Sequence, residues 1–403
     1  MNETVDVVVV GARCAGSPLA MLLARKGYRV VVVDRAEFPS DTISTHLMHP
    51  PAVDAMRRWG LLDRLLDTGC PPIDTYTFDF GPMVISGPPG ESDSPVSYCP
   101  RRTVLDKLLV DAAAEAGAEV RERFSVAGVV IEDGVVRGVR GHGPDGGEEI
   151  LRARIVVGAD GVRSQVADAV GAAIYREVPP LLAPYYSYFS GLPLDGQFPN
   201  FIRGDYGWAA IPTHDDLTLV VGGWPMAEMT QNRDDIDGTF RRIFAAAPEF
   251  LERFDAATRE ARWTGFPVPN YFRTSYGPGW VLVGDAGYVK DAITAHGIKD
   301  AFRDAEACSA ALDAVFSGAR SFDEAMAEFQ ADRDAAGLPM FEFTLQVATP
   351  GPPPPEMLAL LGAVAGSPEA CSGFTRMWAG VLSPVEFFAP ENVGRIMAGS
   401  AAG

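Results

Sequence analysis

The sequence is 403 residues long, enough for two domains and a large buried core. With 47% hydrophobic and 22% charged residues it has the composition of a folded enzyme, and a formal charge of −19 excludes the cationic face that a nucleic-acid binder needs. Five scattered cysteines without a CxxC pair offer neither a disulfide framework nor a zinc site, so no metal is expected, while an acidic N-terminus and a short first apolar run carry neither signal peptide nor membrane span and make the cytoplasm the expected compartment.

A β-branched run over 5–10, closed by Gly11, suits a strand buried on both faces. A helix over about 15–26 follows, with Leu19, Leu22 and Leu23 on one side and Gly27 at its end. Pro18 falls in its first turn, where backbone donors have no intrahelical partner. A second apolar run, 30–33, ends at Asp34, so the three elements make a βαβ unit and a parallel sheet. A helix over 103–116 and a strand over 119–124 come next. The turns Asp133-Gly134 and Asp145-Gly146-Gly147 then punctuate a small antiparallel insertion, and 155–158 returns to the parallel sheet. Between 181 and 266 the segments 185–189, 207–212 and 217–223 alternate as antiparallel strands, interrupted by a helix at 233–244. The parallel texture resumes at 280–283. Helix is expected over 297–316 and 322–346, then a stiff proline-rich break at 350–355 and a short helical tail.

Three segments carry the chemistry. Gly11-Ala12-Arg13-Cys14-Ala15-Gly16 joins strand to helix, and Asp34 ends the next strand. Such a turn aims backbone donors at a diphosphate, and the acid accepts hydrogen bonds from a ribose diol. Gly158-Ala159-Asp160-Gly161-Val162-Arg163-Ser164 and Gly284-Asp285-Ala286-Gly287 each end another sheet strand. In an open parallel sheet the carboxyl ends of the strands line one crevice, so these acids converge on the first site. A long two-lobed cofactor explains acidic turns so far apart in sequence; a nicotinamide alone does not.

With these motifs in this order, the stretch 5–330 resembles the FAD-dependent monooxygenases of the aromatic-hydroxylase (p-hydroxybenzoate hydroxylase-like) family. The wider superfamily includes geranylgeranyl reductases and flavin halogenases. The resemblance implies an α/β fold: a Rossmann-like FAD-binding domain with a GR2-type parallel sheet, an inserted antiparallel β-sheet substrate domain and a helical C-terminal tail. The divisions expected are 1–75, 100–180 and 270–335 for the FAD domain, 76–99 and 181–269 for the substrate domain, and 336–403 for the tail. It further implies that Gly11, Ala12, Arg13, Ala15 and Gly16 turn around the diphosphate, with Asp34 and Arg35 at the adenosine ribose. Arg102 approaches the diphosphate or ribityl chain, Asp160 and Gly161 brace their loop, and Gly284 and Asp285 meet the ribityl chain. Thr45 lies where family members bring backbone against the flavin ring, and Gly297 and Ile298 begin a helix aimed at the ring's pyrimidine end. A helix N-terminus there suits the anionic reduced flavin. His46 and His296 are the candidate catalytic residues.

The chain departs from the family pattern in three places: Arg13 replaces the middle glycine, Asp291-Ala292 replaces the usual proline, and Ser44 stands where many hydroxylases place an arginine. Tyr186, Tyr188, Trp208, Trp224, Phe266 and Tyr271 are candidates for an apolar substrate cavity or for plain core. The function implied is a monooxygenase, of the kind used in secondary metabolism. NADH or NADPH is the transient electron donor, and molecular oxygen hydroxylates or epoxidises a small apolar or aromatic substrate. The alternative is a reductase or dehydrogenase of the geranylgeranyl reductase type, acting on an alkene or isoprenoid chain. A halogenase is disfavoured, because 207–212 (Gly-Trp-Ala-Ala-Ile-Pro) lacks a second tryptophan and no lysine lies between positions 27 and 106. Monomer and homodimer are both compatible with the sequence.

Overall fold

The computed structural model describes residues 4–265 and 267–401. Val5–Val10 lies at the centre of a parallel sheet between Val30–Val33 and the long strand Glu148–Gly158, which also pairs in parallel with Trp280–Leu282. Alternate side chains point to opposite faces of a strand, and both faces here are covered. Val7, Val9, Val30 and Val32 meet Leu19, Leu23, Leu105 and Phe302 from the helices on one side. Val8, Val10, Val31 and Val33 share the other side with Phe124, Val139 and Leu151. That second cover is an antiparallel layer, Ser125–Glu132, Val135–His142 and the first half of Glu148–Gly158. Its tight turn has positive φ at both Asp133 and Gly134, the geometry that matches strand twist.

A separate seven-stranded sheet contains Leu182–Ser190, Thr218–Pro225, Tyr206–Pro212 and Gln197–Arg203, joined at its end by Thr75–Asp79 and Val84–Gly87. It is antiparallel except for one parallel pair, Gln197–Arg203 with Thr75–Asp79. One face packs Phe189, Trp208 and Trp224 against the helices Ile236–Phe244 and Pro248–Ala256. The other face carries Tyr186, Tyr188, Ile211 and Leu219, together with Leu47 and Ala295. Trp208 and Trp224 are therefore core on the far face and line nothing beside Tyr186 and Tyr188. Phe266 lies outside the described residues.

The helical tail expected from the sequence is made of four helices, Pro355–Ala365, Pro368–Trp378, Pro384–Phe387 and Pro390–Ala401. Proline opens all four, where its missing N–H costs nothing. Leu361, Val364, Phe374 and Trp378 enter the same cluster as Tyr188, so this tail belongs to the body of the fold. Among the described residues no single helix is long and apolar enough to cross a membrane.

Candidate functional site

The glycine turn is set by close contact. A Cβ on Gly16 would sit 1.8 Å from the Gly11 carbonyl oxygen, and one on Gly11 would sit 2.4 Å from that of Ala159. Gly11 also has φ of +104°, open to glycine and strained for other residues. The helix Gly16–Arg25 begins without a side-chain cap and without an acid in its first turn, so its positive end is left for an anion. Asp34 is aimed by two backbone donors: Ala12 N–H reaches Oδ2 at 2.8 Å and Ala36 N–H reaches Oδ1 at 2.8 Å. Each oxygen keeps a lone pair. Arg35, next to it, is exposed.

Arg13 spans from the turn to the 38–41 segment. Its guanidinium donates to Ser40 Oγ at 2.9 Å and to the carbonyls of Ser40 and Asp41 at 3.3 Å, and lies over the Phe38 ring. It also pairs with Asp106, a fully buried carboxylate that takes a second hydrogen bond from Arg102 Nε at 3.0 Å. Two cations around one buried acid leave a net positive charge next to the turn. The Cys14 thiol donates to Asp106 as well, and burial pushes it up to about 12.

The other two acidic turns differ. Asp160 accepts from Ser164 Oγ at 2.6 Å and from the N–H groups of Gln165 and Val166, so its carboxylate holds its own loop together while burial pushes it up. Gly161 beside it is in the left-handed region, with open space where a Cβ would be. The Gly284 N–H donates to Asp304 at 3.2 Å. The half-buried Asp285 accepts no hydrogen bond from any described residue. Burial pushes it up to about 6 against the pull of Lys290 and Arg102. It is an acid with no partner of its own.

The turn before helix Gly297–Phe316 is held from behind. His49 Nε2–H donates to the Thr294 carbonyl at 3.0 Å while Nδ1 accepts from the Tyr76 hydroxyl at 2.8 Å. His296 stacks on His49 with ring centres 4.5 Å apart, and its Nε2–H donates to the Trp378 carbonyl at 2.8 Å. Where the usual proline is missing, Asp291 Oδ1 caps the short turn by accepting from Ile293 N–H at 3.0 Å. Gly297 itself is exposed, and a Cβ there would meet no atom within 4 Å. The helix N-terminus thus faces open space, and the buried Ile298 anchors it. His296 is 1% exposed, its Nε2 is tied to the tail, and its Nδ1 has no hydrogen-bond partner among the described residues.

His46 is different. It is fully buried, sits at φ +63°, and its Nε2 is 2.5 Å from the Tyr188 hydroxyl. Nδ1 has no hydrogen-bond partner among the described residues. Burial, with help from Arg102, pushes the ring down to about 3, so it is neutral at physiological pH. Tyr186 makes an edge contact with the same ring, and Tyr188 is held protonated by burial. Half-buried Thr45 precedes it, its carbonyl accepting from the Cys99 thiol. Tyr271 lies apart from these, donating to the Val162 carbonyl at 3.2 Å in the Asp160 loop.

The sequence reading missed His49, Tyr76, Asp106 and the tail residues Trp378 and Gly380. His49 precedes Pro50 at a helix start, and Tyr76 alternates with Phe78, so both had a local signal. Gly380 had none: it is identified only by its contact, with φ +72° and a Cβ position 2.7 Å from His296 Cε1.

The model of the FAD binding domain family matches residues 4–344. The digeranylgeranylglycerophospholipid reductase of Methanosarcina acetivorans is 28% identical over 345 residues, covering 80% of this chain and 79% of the reductase. The rifampicin monooxygenase of Streptomyces venezuelae is 28% identical over 318 residues, 74% of this chain and 62% of that enzyme. The structure of the myxobacterial chondrochloren halogenase CndH superposes with a TM-score of 0.78 at 24% identity, over 98% of this chain and 97% of the halogenase, a likeness of fold.

Proposed function

The chain belongs to the FAD binding domain family and is an FAD-dependent oxidoreductase, and we propose that it acts as a monooxygenase on a small apolar or aromatic substrate. The residues fit the cofactor on their own geometry: two uncapped or open helix N-termini, an acid with spare lone pairs at Asp34, and a partnerless half-buried carboxylate at Asp285. In this reading the backbone of Gly11, Ala12, Ala15 and Gly16 holds the diphosphate, with Arg102 and Arg13 supplying positive charge. Asp34 with Arg35 takes the adenosine ribose, and Asp285, backed by Gly284 and the Asp160-Gly161 loop, takes the ribityl chain. The N–H groups of Gly297 and Ile298 favour negative charge at the ring, and the Thr45 backbone runs alongside it. These assignments draw the cofactor side from 1–75, 100–180 and 270–335 and the substrate side from 76–99 and 181–269.

Bound FAD would supply the redox chemistry between NADH or NADPH and oxygen. The chain's own part is to place the substrate, keep water out and handle protons. One observation carries the reading: the neutral, water-shielded His46–Tyr188 pair, whose Nδ1 is unmatched beside an apolar sheet face. With Tyr188 donating to Nε2, the neutral ring's proton sits on Nδ1, where it would donate a hydrogen bond to a developing anion. Leu47, Tyr186, Ala295 and Leu219 keep that surface apolar.

A reductase is the second reading. The same apolar face would suit an alkene substrate, and the archaeal relative above is named as a reductase. Oxygen separates the two. NADH or NADPH oxidation by FAD-loaded protein, followed against a panel of phenols, polyketides and isoprenoids, should show oxygen uptake in step with product. Product formed without oxygen uptake would favour the reductase.

A further inference from the structure

We propose that Arg13 is a positioning residue: it clasps the loop 39–43 to the cofactor turn, and through that loop it holds Thr45 and His46 against the flavin ring. This rests on the reading of the Thr45–His46 segment as the flavin side. The chain before the loop is tied down. Phe124 N–H donates to the Asp34 carbonyl at 2.8 Å, Arg123 N–H to that of Ala36 at 3.0 Å, and Phe38 N–H to Glu122 Oε2 at 3.2 Å. The chain after it is tied down too, by the Cys99 thiol on the Thr45 carbonyl and by the His46–Tyr188 contact.

The span between has no regular structure and is largely exposed, Ile43 among its residues. Its Thr42 N–H turns to the neighbouring Asp41 carboxylate. Among the described residues only Arg13 donates hydrogen bonds into this span from outside it. Nη2 reaches Ser40 Oγ at 2.9 Å and the Asp41 carbonyl at 3.3 Å, and Nη1 reaches the Ser40 carbonyl at 3.3 Å. The guanidinium is aimed from behind by the buried Asp106 and lies over the Phe38 ring, 5.2 Å from its centroid. A planar fork can meet all of these at once, whereas an ammonium presents its donors from a single point. The fork grows from the middle glycine position of the diphosphate turn, so one residue joins that turn to the loop. The segment that carries Ser44 in place of an arginine is thus gripped by an arginine from the turn. A loop with few bonds of its own opens at little cost. The clasp raises that cost at the place where an open loop would admit water to the ring.

The test uses FAD-loaded protein and two readouts: the rate of thermolysin cleavage before Ile43, and the quenching of bound-flavin fluorescence by iodide. Arg13→Ala should raise cleavage about tenfold or more. Arg13→Lys, which keeps a cation beside Asp106 and loses the fork, should rise nearly as far. Ser40→Ala changes no charge and removes one hydrogen bond, so it should raise cleavage about threefold at wild-type FAD content. Iodide quenching should increase in the same order. Cleavage at other sites in the same digest should stay at the wild-type rate, which excludes misfolding. An unchanged rate before Ile43 in Arg13→Lys and Ser40→Ala would overturn the proposal and leave the placement of the flavin standing. Faster cleavage with unchanged iodide quenching would overturn the link to the ring, because the reading of this segment as the flavin side would then be wrong.

Discussion

Replacing Asp285 with Ala should change cofactor affinity and apoprotein stability in opposite directions. Burial raises this carboxyl from 3.8 to about 6. An acid whose folded value lies above its unfolded value binds its proton more tightly when folded. Its contribution to stability therefore falls as pH rises from about 4 to about 6, and above that the fold carries the full cost of the buried charge. Two units correspond to at most about 3 kcal/mol, less for a half-buried group. Removing the carboxylate should raise the melting temperature of the apoprotein at pH 7.5. The same change removes a charge-assisted hydrogen bond to the ribityl chain, worth about 1.5–3 kcal/mol, or roughly ten- to a hundredfold in FAD affinity. Wild-type FAD affinity should also decline below about pH 6, as the carboxylate gains its proton, while the variant shows no such step. Fluorescence titration and thermal melts read both effects. Asp234→Ala, at a side chain 85% exposed, should alter neither. An Asp285→Ala protein that holds FAD as tightly as wild type, or whose apoprotein melts lower, would refute the reasoning.

Two further substitutions probe the parts around the site. Tyr188→Phe leaves both nitrogens of the buried His46 ring without a partner and should cost about 1–3 kcal/mol in thermal or denaturant unfolding, with FAD content unchanged; an unaltered melt would show that the 2.5 Å contact has no energetic role. Gly380→Ala places a Cβ 2.7 Å from His296 at φ +72°, which should destabilise the protein by about 1–3 kcal/mol and weaken FAD binding by displacing the turn before Gly297. Destabilisation with unchanged FAD affinity would limit the tail to a packing role.

The βαβ unit was legible because its signals are local: valine runs buried on both faces, a glycine turn, and an acid at the end of the next strand. The acidic turns were found for the same reason, since each ends a parallel strand. The resemblance already had Asp160 bracing its loop and Asp285 reaching the cofactor; the fold adds the contacts, with Asp160 bonded to its own loop and Asp285 accepting no hydrogen bond from any described residue. Which aromatic candidates are core could not be sorted without the register. Trp224 pairs with Ala183 and Trp208 with Gly222, so both point opposite to Tyr186 and Tyr188, a parity fixed by strand pairing and invisible in one strand alone. The surroundings of His296 were not legible either. A histidine at a helix start reads as a site residue until a tail more than 80 positions downstream supplies the carbonyl it binds. That tail gave weak periodicity, its short helices being started by prolines and not by long apolar stripes.

The central claim is that this crevice carries oxygen to a substrate held beside His46 and Tyr188. Turnover of FAD-loaded protein with NADH or NADPH under ¹⁸O-labelled oxygen gas, followed by mass analysis of the product, tests it directly. Product carrying one labelled oxygen atom is the result predicted. Product that is reduced or desaturated and carries no label would contradict it.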